Sequence, residues 1–395
     1  MKYKLSKQVK NAHPTAIRKI FMYACDHPDF LDLSIGEPSP ETFPLKEIAE
    51  ASEEMYAVQG TEALAYGPYP GMDECIDQVK KWVESRGFDL TNEEIEMLPG
   101  SGHGMDNMCN AFCDEGDIIL CEQFAYPGIQ NAARMVGASL VGIKTEEDGI
   151  SVEDLEAKSA QYPNAKFLYL CPSFSNPTGM TIPLEKRKAI YKIAQKYDYM
   201  IYEDDPYSQL SFDGTCVPEI KKLDTDGRVV YAASFSKIIS AGMRIGFFIC
   251  NKDLRAYLEM SQGNPGVQSV PVMLTTANYL KHNDVQAHCR EVGQFYKEKA
   301  SWMLQCIEKY FPASCHPVEP KGGLFCWVEV PEELDLESTW DELIQANVGV
   351  VPSLGFSCDP DDLGHAFRLC YSTPSRETIE EACKIMGDML HSKLD

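Results

Sequence analysis

The sequence predicts an α/β fold: a mostly parallel, seven-stranded sheet between helices, followed by a smaller α+β region. Two features carry that expectation. Apolar runs of strand length alternate with segments of helical periodicity through the middle of the chain, as a parallel sheet covered on both faces requires. After about Asn251 the pattern changes to long helices and then to a second group of strands.

The first sixty residues are mixed in pattern and are expected to wrap onto other parts of the chain. The candidate strands are Ile95–Pro99, Asp117–Cys121, Ser139–Ile143, Phe167–Cys171, Tyr199–Glu203, Val229–Ala233 and Ile245–Cys250. Between most of them lie helical segments. LEKRKAIYKIAQKY, from Leu184, sets Ile190, Ile193 and Ala194 on one face and Lys186, Lys188 and Lys196 elsewhere. The link from Val229–Ala233 to Ile245–Cys250 is too short for a helix of ordinary length, so one sheet neighbour there is expected to be antiparallel or separated. Helical patterns then run to Phe311. Strands follow at Leu324–Val330, Val348–Val351 and Ala366–Ser372, and a last helix covers Arg376–Leu390.

Asp and Glu number 60 against 36 Lys and Arg, a formal charge of −24 over 395 residues. Such a chain does not suit a phosphate backbone or an anionic lipid surface. The apolar fraction of 44% is that of a globular protein and not of a disordered one. Fifteen cysteines, an odd count in a long chain, do not read as a disulfide framework. Cys121, Cys171 and Cys250 end apolar runs, where they act as small buried hydrophobes. Cys109 and Cys113 stand at helical spacing without the ligand spacing of a structural zinc site, so core packing is expected and no metal. The basic start MKYKLSKQVK is not followed by an apolar signal stretch. Lys237 and Arg244 interrupt the longest apolar stretch, so no membrane span is expected. A soluble, reduced, cytoplasmic protein follows.

In an open α/β sheet, ligands bind beyond the carboxyl ends of the strands. The residues just past these ends are polar. Lys237, in SFSK, follows a buried strand and precedes IISAGM; desolvation there would lower its pKa and make it an amine nucleophile. Alone, it reads more readily as a lysine that snorkels to the surface. Arg244, in AGMRIG, looks buried and suits a phosphate or carboxylate, or else an internal ion pair. Ser234 and Ser236 add hydroxyls. Ser101, Gly102 and His103 open a helix after a strand, where free N–H groups bind phosphate. The motif is neither a nucleoside triphosphate loop nor a dinucleotide fingerprint. Asp204 ends a buried strand, where a carboxylate is costly unless it meets a cation. Asn176, in SNPTG, reads alone as a turn residue, and Tyr126, in FAYPG, as a core aromatic.

Taken together, SNPTG, EDDPY, SFSK and GMRIG occur in the order and approximate spacing of the class I/II aminotransferases, pyridoxal-phosphate enzymes of fold type I, and the chain resembles that family over nearly its whole length. LSIGEPSPETFP, AYGPYPGMDE, PKGGLFCWVEVP and AFRLCYS are similar to family segments too, most of all those of the 2-aminoadipate and aromatic-type branch. The resemblance implies pyridoxal 5'-phosphate as cofactor and ping-pong transamination between an amino acid and a 2-oxo acid. Lys237 would bond to the cofactor aldehyde and later move the substrate proton. Asp204 would pair with the ring nitrogen, Tyr207 and Asn176 with the ring oxygen, and Tyr126 would stack on the ring. Ser101, Gly102, His103, Ser234, Ser236 and Arg244 would hold the phosphate, with Tyr66 reaching it from the partner subunit of a homodimer. Arg368 would take the substrate carboxylate beside the Gly36 backbone. The implied division is residues 1–60 packing on the small domain and the partner, 61–285 as the cofactor domain, and 286–395 as the small domain.

Some positions depart from the family pattern. Gly102-His103 stands where relatives often carry Gln or Ala, Ala241 where Pro is usual, and PSFS precedes Asn176 in place of PSFQ or PNFQ. None removes a group the chemistry needs. Two other readings compete. One is a C–S β-lyase on the same scaffold. The other is a non-catalytic sensor of the kind fused to DNA-binding modules, against which stand the charge of −24 and a chain that begins about a dozen residues before family-like sequence. Arg18, in HPTAIRKIF, falls on an expected helix from which it would meet a distal carboxylate of the substrate, unless it is a plain surface arginine.

Overall fold

The computed structural model of the chain describes residues 3–10, 16–262 and 268–394. Seven strands form the main sheet: β1 Glu93–Leu98, β2 Ile118–Glu122, β3 Ser139–Ile143, β4 Phe167–Leu170, β5 Met200–Asp205, β6 Val229–Ser234 and β7 Gly246–Asn251. Each matches an expected apolar run to within a residue or two. Their order across the sheet is β1-β7-β6-β5-β4-β2-β3. All pairs are parallel except those of β7, which runs antiparallel to both β1 and β6. The short link from Ser234 to Gly246 is the reason. It holds one turn of 3-10 helix, Phe235–Lys237, whereas a parallel return needs a crossover of about a dozen residues or more. The chain therefore doubles back at the carboxyl edge, and Lys237 and Arg244 share one loop there.

The helix Leu184–Tyr197 buries Ile190, Ile193 and Ala194, as its periodicity requires. It also buries Arg187 completely. The Arg187 guanidinium donates to the carbonyls of Ile182 at 2.8 Å and Pro172 at 2.7 Å and to Ser173 Oγ at 2.8 Å. A cation that the sequence groups with surface lysines thus braces the loop after β4.

A second sheet is antiparallel: β8 His316–Pro317, β9 Phe325–Glu329, β10 Val351–Pro352 and β11 Ala366–Cys370, in the order β8-β9-β11-β10. The expected strand Val348–Val351 is divided. Val348–Gly349 pairs in parallel with Leu31–Asp32, and Val351–Pro352 pairs with β11. The helical region after Asn251 comprises Lys252–Met260, Val270–His282 and Val285–Tyr310; its residues 263–267 lie outside the described set. Leu45–Val58 packs on Val270–His282, and Val285–Tyr310 packs on Arg376–Leu394. Cys121, Cys171 and Cys250 are buried free thiols, as expected of apolar strand ends. Among the described residues no helix is long and apolar enough to cross a membrane.

Candidate active site

The carboxyl ends of the main-sheet strands and one face of the second sheet enclose a cleft of about 340 Å³. A larger, open groove of about 480 Å³ lies elsewhere, lined by Glu41, Glu47, Asp284 and Glu291 among others. Its lining is largely acidic and holds no Lys or Arg.

Lys237 stands at the end of the 3-10 turn after β6. Its Nζ donates to the Gly36 carbonyl at 2.7 Å. Burial pushes its pKa down to about 8, with Arg244 and Arg368 acting in the same direction. Gly36 has no room for a side chain, since a Cβ there would lie 2.6 Å from the Phe325 ring.

Asp204, near the end of β5, is 3% exposed. Its Oδ2 accepts from the Tyr169 hydroxyl at 3.1 Å. Its Oδ1 is buried without a hydrogen-bond partner among the described residues. Burial pushes the carboxyl up to about 7. An acceptor held dry and unpaired is a costly feature, and it suits a cationic N–H. Tyr207, in the turn just past β5, is buried, and that burial keeps its hydroxyl protonated as a donor.

Ser101 and Gly102 begin the helix Gly102–Phe112. The N–H groups of His103 and Gly104 are spent inside the turn, on the carbonyls of Gly100 and Ser101. Ser101 and Gly102 line the cleft, and His103 does not. Its ring Nε2 is buried without a partner among the described residues. Ser234, Ser236 and Arg244 line the same cleft. Ser234 Oγ donates to Ser236 Oγ at 2.8 Å, and Arg244 Nη1 donates to Ser236 Oγ at 3.2 Å. Arg244 is exposed at the cleft mouth, which corrects the expectation of a buried arginine. It sits on the surface turn that reverses the chain before β7, with φ of 49°. Its Nη2 donates to the Pro99 carbonyl at 3.0 Å, and the Gln268 side chain donates to its own carbonyl. Gly100 makes this approach possible. It has φ of 95°, and a Cβ there would lie 2.6 Å from Arg244 Nη2.

Arg368, on β11, is fully buried. Its Nη1 donates to Asn176 Oδ1 at 2.7 Å, and its Nη2 donates to the Ser34 carbonyl. Phe325 and Phe356 cover the guanidinium at 4.5 and 4.8 Å. Its Nε has no partner among the described residues. With Asn176 Oδ1 committed to Arg368, the Asn176 amide N–H groups are left for a ligand. The loop that carries Asn176 is fastened by Glu122, whose carboxyl accepts from Cys171 N at 2.9 Å and Ser175 Oγ at 3.3 Å.

The cleft therefore gathers Gly36, Ser101, Gly102, Tyr126, Asn176, Asp204, Tyr207, Ser234, Ser236, Lys237, Arg244 and Arg368. Three expected residues stand outside its lining. His103 is one. Tyr66 is fully exposed on the surface of the chain. Arg18 is exposed on the helix Ala16–Asp26, and its neighbour Ile17 lines the cleft instead. Adjacent helix residues diverge by about 100°, so a correct helix still left the facing residue open. Sequence reasoning missed Tyr169, Cys171, Glu37 and Pro206, which also line the cleft. Only Tyr169 gave a signal: a hydroxyl inside the otherwise apolar strand FLYLC.

The family model "Aminotransferase class I and II" matches residues 28–386. The chain is 30% identical to a 2-aminoadipate transaminase of Thermus thermophilus, over 93% of this chain and 91% of that one. It is 29% identical to aromatic-amino-acid aminotransferase 1 of Thermococcus litoralis, over 93% and 89%. Its fold matches that of a Pyrococcus horikoshii kynurenine aminotransferase, solved with PMP and KYN as substrates and KYA as products, with a TM-score of 0.94 at 28% identity, covering 99% of this chain and 98% of that one. The fold, the convergent cleft and these matches agree: this chain belongs to the class I and II aminotransferases, on the type I fold of pyridoxal-phosphate enzymes.

Proposed function

We propose that the cleft binds pyridoxal 5'-phosphate and that its residues move an amino group between an L-amino acid and a 2-oxo acid in two half-reactions. When bound, the cofactor supplies an electrophilic aldehyde and a ring that withdraws electrons from the substrate Cα. The carrying observation is the unpaired, buried Asp204 Oδ1 in the same cleft as a lysine whose pKa is lowered to about 8.

Asp204 would accept from the protonated ring nitrogen, and that cation would return it to its ionised form. Tyr207 and the Asn176 amide would donate to the ring oxygen, and Tyr126 would cover the ring face. The helix start at Ser101 and Gly102, the hydroxyls of Ser234 and Ser236 and the Arg244 guanidinium would hold the phosphate. Arg368 would bind the substrate α-carboxylate, beside the Gly36 backbone. Lys237, whose Nζ donates to the Gly36 carbonyl in this structure, would bond to the cofactor aldehyde and, once the substrate amine displaced it, would take and return the proton at the substrate Cα. Its lowered pKa makes it a usable base near neutral pH.

Tyr66 would reach the phosphate of the other subunit in a homodimer with shared sites. Its complete exposure supports this, as does that of its neighbours Leu64 at 71% and Val58 at 73%. We read residues 61–285 as the cofactor domain and 286–395 as the small domain; of residues 1–60, Leu31–Asp32 pairs with Val348–Gly349 of the small domain, whereas Leu45–Val58 packs on Val270–His282 of the cofactor domain. The substrate class is read from the relatives: 2-aminoadipate and aromatic donors lead.

Adding pyridoxal 5'-phosphate to the purified chain is expected to give a visible absorbance band that an amino donor removes and a 2-oxo acid restores. Lys237→Ala should abolish it. A wild-type chain without the band, or a band that survives Lys237→Ala, would refute the reading. Turnover of glutamate, 2-aminoadipate, phenylalanine and leucine by wild type and Arg18→Ala ranks the donors. A loss confined to acidic donors supports a role for Arg18. Release of pyruvate and thiol from cystathionine without a 2-oxo acid would favour the β-lyase reaction instead.

A further inference from the structure

Behind the cleft, a buried chain of charged and polar groups ends on the turn that carries Tyr207. Successive residues of β5 face opposite sides of the sheet. Asp204 lines the cleft, and Asp205 does not. The Asp205 carboxylate accepts from the Ser208 amide at 3.0 Å, the Ser208 hydroxyl at 2.6 Å and the Tyr231 hydroxyl at 2.8 Å. The turn closed by the Ser208 bonds contains Pro206 and Tyr207, and both line the cleft. Arg86 stands next in the chain. Its guanidinium donates to the Tyr231 hydroxyl at 3.3 Å and lies 3.8 Å from Asp205 and 2.5 Å from Glu219. Trp82 and Phe88 cover it at 4.8 and 5.4 Å.

Both charges are withdrawn from water, with side-chain exposures of 5% for Arg86 and 1% for Asp205. A buried ion pair is a poor source of stability, because desolvation offsets its attraction. It does supply direction. Ser208 is held by two bonds to one carboxylate, its amide on Oδ1 and its hydroxyl on Oδ2, and Tyr231 and Arg86 fix that carboxylate at Oδ2. Tyr207, between Asp205 and Ser208, has little freedom to rotate away.

We propose that Asp205 is a positioning residue that acts through Tyr207: the Arg86–Tyr231–Asp205 chain fixes the turn that aims the Tyr207 hydroxyl into the cleft. The proposal rests on the functional reading above, in which that hydroxyl donates to the cofactor ring oxygen.

The test titrates the visible band of the loaded enzyme against pH in wild type, Asp205→Asn, Ser208→Ala, Tyr207→Phe and the double variant Asp205→Asn/Tyr207→Phe. A hydrogen bond from Tyr207 stabilises the deprotonated form of the Lys237 linkage, so its loss raises the apparent pKa of the band. Asp205→Asn is expected to raise that proton affinity about threefold or more and to lower kcat about tenfold, the scale of one misplaced hydrogen bond. In the Tyr207→Phe background it should change neither, because the group it acts through is gone. Ser208→Ala keeps the buried charges intact and so folds even where Asp205→Asn does not; it should move both quantities in the same direction by less. An equal shift from Asp205→Asn in both backgrounds overturns the proposal. So does a lowered thermal midpoint in Asp205→Asn and Ser208→Ala with the pKa of the band unmoved. A wild-type chain without the band refutes the functional reading and the proposal together. A band insensitive to Asp205 and Ser208 refutes the proposal alone.

Discussion

Replacing Asp204 with Asn should stabilise the cofactor-free protein at alkaline pH and weaken cofactor binding. The Asp204 carboxyl is buried with one oxygen unpaired, and its pKa is pushed from an ordinary 3.8 to about 7. A carboxyl raised on folding contributes stability that is complete below its unfolded pKa and is lost as pH rises through its folded pKa. The window runs from about 4 to about 7. One pKa unit corresponds to about 1.4 kcal/mol, so the full raise sets an upper bound of roughly 4 kcal/mol on the cost of ionising Asp204 in the empty site at pH 8. Relaxation and water entry reduce that to an expected 1–3 kcal/mol or so. Asn keeps the volume and can still accept from Tyr169, but it never ionises. Thermal unfolding of the cofactor-free wild type and Asp204→Asn at pH 5, 6, 7 and 8 provides the assay. The variant's midpoint should exceed that of wild type by a few degrees at pH 8, and the gap should narrow as pH falls, to less than about half its size at pH 5. Adding pyridoxal 5'-phosphate should reverse the order, because only the carboxylate offers the ring nitrogen a counter-charge. A gap independent of pH, or a variant less stable than wild type at pH 8 without cofactor, would show that ionised Asp204 is not the source of strain.

Other outcomes follow from the same geometry. Arg368→Lys loses the fork that spans Asn176 and Ser34, so KM for the amino donor should rise about tenfold or more, the scale of one charge-assisted hydrogen bond; steady-state kinetics with the visible band intact would check it. Gly100→Ala forces a β-carbon to 2.6 Å from Arg244 at a φ of 95°, and fluorescence titration should show cofactor affinity weakened by roughly tenfold or more, a cost of the order of backbone strain. Leu64→Glu puts a charge on the exposed apolar surface beside Tyr66, and on the homodimer proposed above sedimentation should show a shift from dimer toward monomer.

Much of the fold is legible in the sequence because buried strands are locally encoded. The seven apolar runs are bounded by turn residues, and each became a strand of the main sheet. Even the reversal of β7 was implied by a loop too short for a crossover. The motif residues of the cleft were equally visible, since Lys237, Asp204, Asn176 and Arg368 stand in short segments with a recognisable order. The expected strand Val348–Val351 was less legible. Its two halves pair with different partners, Leu31–Asp32 and Ala366–Cys370, and no local pattern records a partner hundreds of residues away.

By itself the sequence determined the class of fold and the family and pointed to most of the polar groups that the cleft gathers, because periodicity and short motifs are properties of neighbouring residues. The tertiary structure decided how those groups are tuned and which of them meet. Only packing leaves Asp204 Oδ1 dry and unpaired, brings the Gly36 carbonyl to Lys237 and commits Asn176 to Arg368. Only packing puts Ile17 in the cleft rather than Arg18, and exposes Arg244, which the sequence suggested was buried. These are long-range effects of burial and distance, and they exist only once distant segments share one space.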